Sequence, residues 1–328
     1  MAFGRSVRRP LIPRFEPGTT DHRGETFLIT LRGLTKRYGD RTAVDGLTLE
    51  VAAGKVTGFL GPNGAGKSTT MRMIVGLDRP SAGEALVGGR RYAGLPRPLR
   101  EVGALLDAGS VHPGRPARAH LLAMARSNGI DRSRVDEVLG LVGLEAVAGR
   151  RAGSYSLGMR QRLGIAGALL GDPPVLMFDE PVNGLDPDGV LWVRGLMRGL
   201  AAEGRTVFVS SHLMSEMQLT ADRLVVIGRG RLLADAPMGE VIARGSGNAV
   251  RVRTPGAADL AARLTAVGAA VRRMDEDGLE VTGVPVDRVG LIAFEAGVPV
   301  LELRAVEASL EEAYLELTGA SVEYGVGR

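Results

Sequence analysis

The pattern of apolar and polar residues predicts a long alternation of strands and helices. Residues 27–34 alternate between apolar and polar as a strand does, and residues 56–60 form a short apolar run before a glycine-rich turn. A helix is predicted next, at about 67–76. Residues 175–178 are uniformly apolar, which is typical of a strand buried on both faces. Strands that alternate with helices in this way predict an α/β fold with a mostly parallel sheet.

Helical patterns dominate the stretch from about residue 101 to residue 170. Apolar residues recur there at spacings of three and four, as on the buried face of a helix. We expect a helical subdomain at about 101–170, inserted in a larger α/β domain that spans residues 27–240. The other predicted strands in this domain are 48–51, 206–210 and 223–227, and the other predicted helices are 119–126, 135–143, 160–170, 190–203 and 214–221.

The pattern changes around residues 239–247, and a smaller domain is predicted after it, over residues 247–328. Its order of strand, helix, two strands, helix, strand and helix is typical of a small α+β unit. At the other end, residues 1–26 carry arginines among prolines with no sustained period, which predicts a basic, disordered tail. The predicted strands of the smaller domain are 249–254, 270–275, 280–283 and 298–304, and its predicted helices are 258–267, 286–295 and 309–317.

Composition excludes several kinds of site. The 328 residues contain no cysteine, which removes disulfides, thiolate metal ligands and cysteine nucleophiles. No apolar run approaches the roughly 18 to 20 residues that a membrane-spanning helix needs, so the chain is not expected to cross a bilayer. The net charge of +4 comes from arginines scattered among acids, so no nucleic-acid partner is expected. Only three of the 41 basic residues are lysines, and one of them is Lys67.

A glycine-rich segment between a predicted strand and a predicted helix carries the strongest chemical signal. It matches the pattern G-x-x-x-x-G-K-[ST], in which backbone N–H groups and the following helix N-terminus surround phosphate oxygens. Lys67 would bring an ammonium to the β- and γ-phosphates, and the Ser68 hydroxyl would bind Mg²⁺. A glycine-rich chain can match by chance, but the strand–turn–helix context argues against chance. The segment consists of Gly61, Pro62, Asn63, Gly64, Ala65, Gly66, Lys67, Ser68 and Thr69.

Two carboxylates follow the apolar run at 175–178. Asp179 is placed to hold Mg²⁺ through water, and Glu180 is placed to orient or deprotonate an attacking water. An acidic strand end is common by itself, so this interpretation depends on the phosphate-binding pattern upstream.

A third segment identifies a family. Its five central residues are Tyr155, Ser156, Leu157, Gly158 and Met159. These five residues resemble the L-S-G-G-Q signature of ABC ATPases, and the resemblance to that family covers about residues 27–240. Ser156 and Gly158 would open a helix whose N-terminus can face a phosphate, although an ordinary N-cap serine gives the same local pattern.

Four further residues stand at positions of the same family. Asp186 resembles the family's D-loop aspartate, His212 resembles the histidine that reaches the γ-phosphate, and Tyr38 resembles the aromatic residue that stacks on adenine. Asp107 stands where the family usually has a glutamine with a metal-water and coupling role. A carboxylate there can still hold a Mg²⁺-bound water, although it adds negative charge near the γ-phosphate.

The resemblance implies ATP and Mg²⁺ as cofactors and catalytic roles for Lys67, Glu180 and His212. It implies that ATP is held between two chains, either a homodimer or a pair with a related ATPase subunit, and that the Ser156 helix of one chain completes the site of the other. The signature departs from the usual pattern, with Leu157 in place of the first glycine and Met159 in place of the glutamine. This variant signature and Asp107 are similar to those of the drug- and bacteriocin-exporter branch. That similarity implies a separate multi-span membrane permease and a peripheral position on the cytoplasmic side of the cell membrane.

The sequence leaves alternatives open. Soluble ABC ATPases of DNA repair or translation usually carry a coiled coil in the helical segment or two cassettes in one chain, and neither pattern occurs here. An importer subunit can also carry an accessory C-terminal domain. Another P-loop class, such as a small GTPase, is disfavoured by the Ser156 signature and by the lack of an Asn-Lys-x-Asp motif. The transported substrate cannot be read from a chain that contacts nucleotide rather than cargo.

Overall fold

The computed structural model of the protein describes residues 26–245, 249–305, 310–311 and 313–314. Except for Thr26, the predicted N-terminal tail lies outside these residues, as does most of the helix predicted at 309–317. The chain divides into two compact units, and the division falls after Asp235. The sequence interpretation put the change of domain slightly later, at residues 240–247.

The described residues up to 245 form alternating strands and helices. The strands are β1 (Phe27–Tyr38), β2 (Arg41–Ala52), β3 (Val56–Leu60), β4 (Ala82–Val87), β5 (Val102–Leu105), β6 (Val175–Asp179), β7 (Thr206–Ser210), β8 (Arg223–Gly228) and β9 (Arg231–Pro237). The helices are α1 (Lys67–Ile74), α2 (Ala117–Ser127), α3 (Ser133–Leu141), α4 (Leu157–Leu169), α5 (Pro187–Ala202), α6 (Met214–Thr220) and α7 (Met238–Gly245). Among the described residues, no helix combines the length and apolar character needed to span a bilayer.

A six-stranded sheet forms the centre of the first unit, in the order β5-β6-β7-β3-β8-β9. The strands from β5 to β8 pair in parallel, as the α/β prediction required. Every residue of β3 and β7 is buried, and neither strand carries a charged side chain. The rings of Phe59 and Phe208 lie 5.0 Å apart between these two strands. Because parallel strands end at the same edge, the loops that follow β3, β6 and β7 meet there.

An antiparallel three-stranded sheet, with β1 between β2 and β4, packs on the same core. Leu31 on β1 pairs with Leu49 on one side and Ala85 on the other, and all three side chains are buried. At the end of β1, Tyr38 pairs with Arg41 across a tight turn, which leaves the Tyr38 ring about half exposed, at 49%.

The helical subdomain begins later than predicted. Residues 102–105 form β5, which pairs in parallel with β6 in the central sheet, so the lower bound of 101 was wrong. The strand has only four residues and includes a glycine, which gave no visible strand pattern. A Cβ on Gly103 would overlap the carbonyl oxygen of Ala168 on α4, so the sheet and α4 approach closely at this point. The helices α2, α3 and α4 contact one another, as the helical prediction required.

The second unit is a small α+β fold. Its strands are β10 (Val250–Arg253), β11 (Ala270–Arg273), β12 (Gly278–Thr282) and β13 (Glu302–Ala305), and its helices are α8 (Ala257–Ala266) and α9 (Val286–Glu295). The strands form an antiparallel sheet in the order β11-β12-β10-β13, which confirms the predicted strand and helix order over these residues. Alternate residues such as Val250 and Val252 are buried in a core of their own with Leu260 and Val289.

We predict that Gly103→Ala destabilises the first unit by about 1–3 kcal/mol, because the added methyl must displace backbone rather than a flexible side chain. The matched control is Gly195→Ala on the exposed face of α5, where a Cβ meets nothing within 4 Å. That variant should be slightly stabilising, since alanine is the better helix former. Urea unfolding of the two variants checks the prediction, and equal free energies of unfolding would contradict it.

Candidate active site

The loop between β3 and α1 is the glycine-rich segment singled out in the sequence. Gly66 has a φ of 105°, a backbone conformation that favours glycine, and a Cβ there would lie 2.5 Å from the carbonyl oxygen of Ala43. Gly66 is also the N-cap of α1, and no side chain among the described residues caps this helix. The first-turn N–H groups of α1 are therefore available to an anion. Ser68, in this first turn, is exposed.

Lys67 is a buried cation at the start of α1. Its side chain is buried, and Nζ donates hydrogen bonds to the carbonyl oxygens of Gly61 (2.6 Å) and Pro62 (3.3 Å). Burial lowers the pKa of Lys67, and the nearby carboxylates of Glu180 and Asp179 oppose that shift. The hydrogen-bond partners of this ammonium are neutral carbonyl oxygens. A bound anion would therefore stabilise its positive charge further.

The ends of β6 and β7 bring together two carboxylates and a histidine. The Ser210 hydroxyl donates to Asp179 Oδ1, and the Glu180 N–H donates to the Ser210 carbonyl (3.2 Å) and hydroxyl (3.1 Å). His212 Nδ1 lies 2.8 Å from Glu180 Oε2. The predicted Asp179, Glu180 and His212 are thus in one cluster, and Lys67 follows the neighbouring strand β3.

Two polar residues of this cluster were not predicted. Ser210 fixes both Asp179 and Glu180, and Gln161 on α4 donates from Nε2 to the Glu180 carbonyl oxygen at 2.8 Å. Gln161 is 4% exposed. In the sequence, Gln161 is a neutral polar residue on the buried face of a predicted helix. A buried amide must find a hydrogen-bond partner, but the sequence does not identify that partner.

The predicted signature lies at the start of α4. Ser156 is the N-cap, and its hydroxyl accepts a hydrogen bond from Met159 N–H at 3.2 Å. Gly158 faces the carbonyl of Gly184, where a Cβ would come within 3.2 Å. Leu157 is 49% exposed, and Ser156 is exposed at the surface of the chain. The start of α4 is therefore exposed at the surface of the chain.

Asp107 and Asp186 are both exposed acids in turns. Asp107 follows β5, and its Oδ1 accepts from Gly109 N–H at 2.7 Å. It lines one cleft of about 360 Å³ together with Ser68 and Asp179. Asp186 is the N-cap of α5, where Oδ1 accepts from Gly189 N–H at 2.9 Å.

Tyr38 lies at the far end of the antiparallel sheet. Its hydroxyl donates to Asp78 Oδ2 at 3.1 Å, and the Lys36 ammonium lies 4.9 Å from the ring centre. Arg72 holds the same Asp78 carboxylate at 2.8 Å. Partial burial first, and the Asp78 carboxylate second, raise the pKa of Tyr38. The ring keeps an exposed face on which a planar group could stack.

The side-chain oxygens around Asp179 suit a hard cation, but they are too few to complete its coordination by themselves. Ser68, Asp107 and Asp179 offer one hydroxyl and two carboxylates to a shared cleft. Among the described residues there is no cluster of three or more His, Cys, Asp or Glu side chains that could hold a metal ion. These residues therefore fit Mg²⁺ only if phosphate oxygens and water complete its coordination, as is usual for this ion.

Comparisons with known proteins agree with this geometry. Residues 44–183 match the family described as ABC transporter, and residues 248–311 match a domain of unknown function. The chain is 36% identical to the ABC transporter ATP-binding protein YhcH of Bacillus subtilis (strain 168), over 90% of this chain and 97% of that protein. It is 42% identical to the bacitracin transport ATP-binding protein BcrA of Bacillus licheniformis, over 64% of this chain and 70% of that protein. It is 35% identical to the Nod factor export ATP-binding protein I of Burkholderia orbicola (strain AU 1054), over 90% and 98%.

Solved structures show the same fold. An ATP-binding subunit of an ABC transporter aligns with a TM-score of 0.61 and 26% identity, over 66% of this chain and 92% of that chain. A dimeric ATP-binding cassette in a post-hydrolysis state, bound to ADP and Pi, aligns with a TM-score of 0.58 and 25% identity, over 64% and 99%. The matches to YhcH and to the Nod factor export protein extend over almost the full length of those proteins, and the family match includes Lys67, Asp179 and Glu180. The chain therefore belongs to the ATP-binding proteins of ABC transporters and hydrolyses ATP.

Proposed function

We propose that two copies of this chain, or one copy and a related ATPase subunit, close around ATP and drive a separate membrane permease that exports its cargo. One observation carries the proposal: Lys67, Glu180 and His212 follow three adjacent parallel strands, β3, β6 and β7, and so converge at one edge of the sheet. A buried ammonium beside a carboxylate and an imidazole is suited to binding a triphosphate and activating water.

ATP binding is assigned to the loop and to Tyr38. The triphosphate would lie over residues 61–69, where it would replace the carbonyl oxygens of Gly61 and Pro62 as partners of the Lys67 ammonium. The first-turn N–H groups of α1 add partial positive charge. Adenine would stack on the exposed face of the Tyr38 ring.

Mg²⁺ is assigned to the cleft that Ser68 and Asp179 share. The Ser68 hydroxyl would bind the ion directly, and Asp179, oriented by Ser210, would hold it through water. Asp107 lines the same cleft and would contact a water of the ion. When bound, Mg²⁺ neutralises charge on the β- and γ-phosphates.

Hydrolysis is assigned to Glu180 and His212. The Glu180 carboxylate takes a proton from the attacking water as the water oxygen bonds to the γ-phosphorus. The bond between the γ-phosphorus and the β,γ-bridging oxygen breaks, which gives ADP and phosphate. His212, 2.8 Å from Glu180, fixes the direction of this carboxylate and would reach the γ-phosphate with its other ring nitrogen.

The outward N-terminus of α4 motivates the dimer. Ser156, Leu157, Gly158 and Met159 would bind the γ-phosphate of the ATP held by the partner chain, since the helix start is exposed and available to an anion. Asp186, at the start of α5, would lie at the same interface. The dimeric cassettes among the solved structures support this arrangement.

Export follows from the named relatives. BcrA is a bacitracin transport protein, and two relatives that match almost end to end are Nod factor export proteins. The proposed cargo class is a drug, antibiotic or other hydrophobic compound. The chain would lie against the cytoplasmic side of the cell membrane, with the permease contacting the cleft beside Asp107.

We predict that Glu180→Gln lowers kcat by about 10²- to 10⁴-fold, because the amide cannot accept the proton of water. ATP binding should persist, and the variant should accumulate as an ATP-bound dimer on size-exclusion chromatography. The matched control is Glu203→Gln, an exposed carboxylate after α5 that pairs with Arg205. Its kcat should equal that of the unaltered chain. Hydrolysis by Glu180→Gln at the unaltered rate would remove Glu180 as the base.

We also predict that a multi-span membrane protein purifies with this chain in stoichiometric amount from membranes of its own cell, solubilised in mild detergent. A tagged chain and mass spectrometry of the eluate check this outcome. Recovery of the chain with ribosomes or nucleic acid and without a membrane protein would favour the soluble ABC ATPases instead. Co-purification with a permease and an extracellular binding protein would point to import.

A further inference from the structure

Gln161 connects the helix that follows Ser156 to the loop that follows β6. It lies in the second turn of α4, the helix that begins after Ser156. Its side chain is almost fully buried, and Nε2 donates to the main-chain carbonyl of Glu180 at 2.8 Å. A buried amide is costly unless it is hydrogen-bonded, so this contact determines where the side chain of Gln161 can lie.

The Glu180 main chain needs such a contact. Its φ is 50°, in the left-handed region that residues other than glycine rarely adopt. A conformation of this kind persists only where the surroundings hold it from more than one side. Here Ser210 accepts from the Glu180 N–H, and the Glu180 carbonyl accepts from Gln161 Nε2 at 2.8 Å and from the Asn183 N–H at 3.2 Å. The peptide groups on both sides of the Cα are therefore held, and with them the direction of the carboxylate beside His212. Gln161 supplies the shorter of the two hydrogen bonds to the carbonyl, and it is the one that comes from α4.

The position of α4 itself does not depend on Gln161. Arg162, the next residue, donates to the carbonyl of Val142 at 3.1 Å and lies 4.7 Å from the ring centre of Trp192. Several apolar residues of α4, among them Leu163 and Ile165, are buried as well. Loss of the Gln161 amide would therefore remove the shorter of the two hydrogen bonds to the Glu180 carbonyl and leave only the one from the Asn183 N–H, while the helix remains in place.

We propose that Gln161 is a positioning residue for ATP hydrolysis, which holds the Glu180 main chain in its left-handed conformation from the helix that begins after Ser156. The inference rests on the role proposed above for Glu180. It predicts that Gln161 affects the chemical step and not the binding of ATP, because none of the phosphate-binding residues of the 61–69 loop contacts its amide.

Three variants of the full chain test the proposal. Gln161→Met keeps the length and volume of the side chain and removes the donor. Gln161→His restores a donor, since the imidazole Nε2 lies at nearly the distance of the glutamine amide from the Cα. Asn128→Leu is the control, because Asn128 is also a buried amide that bonds main chain, accepting from Leu99 N–H at 3.1 Å, in the helical subdomain.

The measurements are kcat and KM for MgATP at 25 °C, together with the melting temperature of each variant. We expect Gln161→Met to lower kcat roughly tenfold to a hundredfold with an unchanged KM, as for a misplaced catalytic group. Gln161→His should recover most of that loss. Asn128→Leu should lower the melting temperature and leave kcat unchanged.

Turnover by Gln161→Met equal to that of Asn128→Leu would overturn the proposal, because Gln161 would then be only a structural residue. A His variant as slow as the Met variant would also overturn it, since the donor would not matter. The Glu180→Gln variant separates this failure from failure of the proposed function. If it is slow while Gln161→Met is normal, only the role of Gln161 is lost, and if it turns over normally, the base assignment and this inference fail together.

Discussion

The parallel hydrogen bonding of β3, β7 and β6 is the constraint on which the rest of the structure depends. In this register Ser210 pairs with both Phe59 and Asp179, so the three strands end in one row. Glu180 and His212 follow that row within two residues, and Lys67 follows it after the glycine-rich loop. A shift of one residue in any strand would turn its side chains to the opposite face and separate the ammonium from the carboxylates. Every residue of β3 and β7 is buried, so a shifted strand would also lose its packing on both faces.

Several features at this edge of the sheet lower the stability of the fold, and the buried core offsets their cost. Lys67 is buried with carbonyl partners, Gly66 and Glu180 have left-handed backbone conformations, and α1 begins without a capping side chain. The buried ammonium and the uncapped start of α1 are unfavourable in an ordinary fold, and a bound polyanion would stabilise both. The left-handed conformation is tolerated by glycine but is costly for Glu180. The start of α4 differs, because Ser156 caps the helix and the helix start is exposed. We therefore propose that a single chain carries the phosphate loop of one ATP site and the signature half of another.

Much of this could be predicted from the sequence because the motifs coincide with changes of hydrophobic period. The strands at 56–60 and 206–210 were predicted with the bounds that the structure has. Strands β4 and β5 were missed because each is short and contains a glycine, and β9 and α7 were missed where the pattern changes between domains. The roles of Asp179 and Glu180 were predicted from the motif and that of His212 from the family resemblance, and the parallel strands bring the three side chains together. The contact of Gln161 with Glu180 could not be predicted, because the partner of a buried amide depends on how α4 lies against the sheet.

We propose that each ATP site is built from the Lys67 loop of one chain and the Ser156 helix of another. The most direct test mixes two variants that should each be inactive, Lys67→Ala and Ser156→Arg, and measures ATP hydrolysis. Each variant alone has two defective sites per dimer, whereas a mixed dimer has one site with both an unaltered Lys67 and an unaltered Ser156. Mixing should therefore restore hydrolysis that neither variant shows alone. A mixture as inactive as its separate components would contradict the shared site.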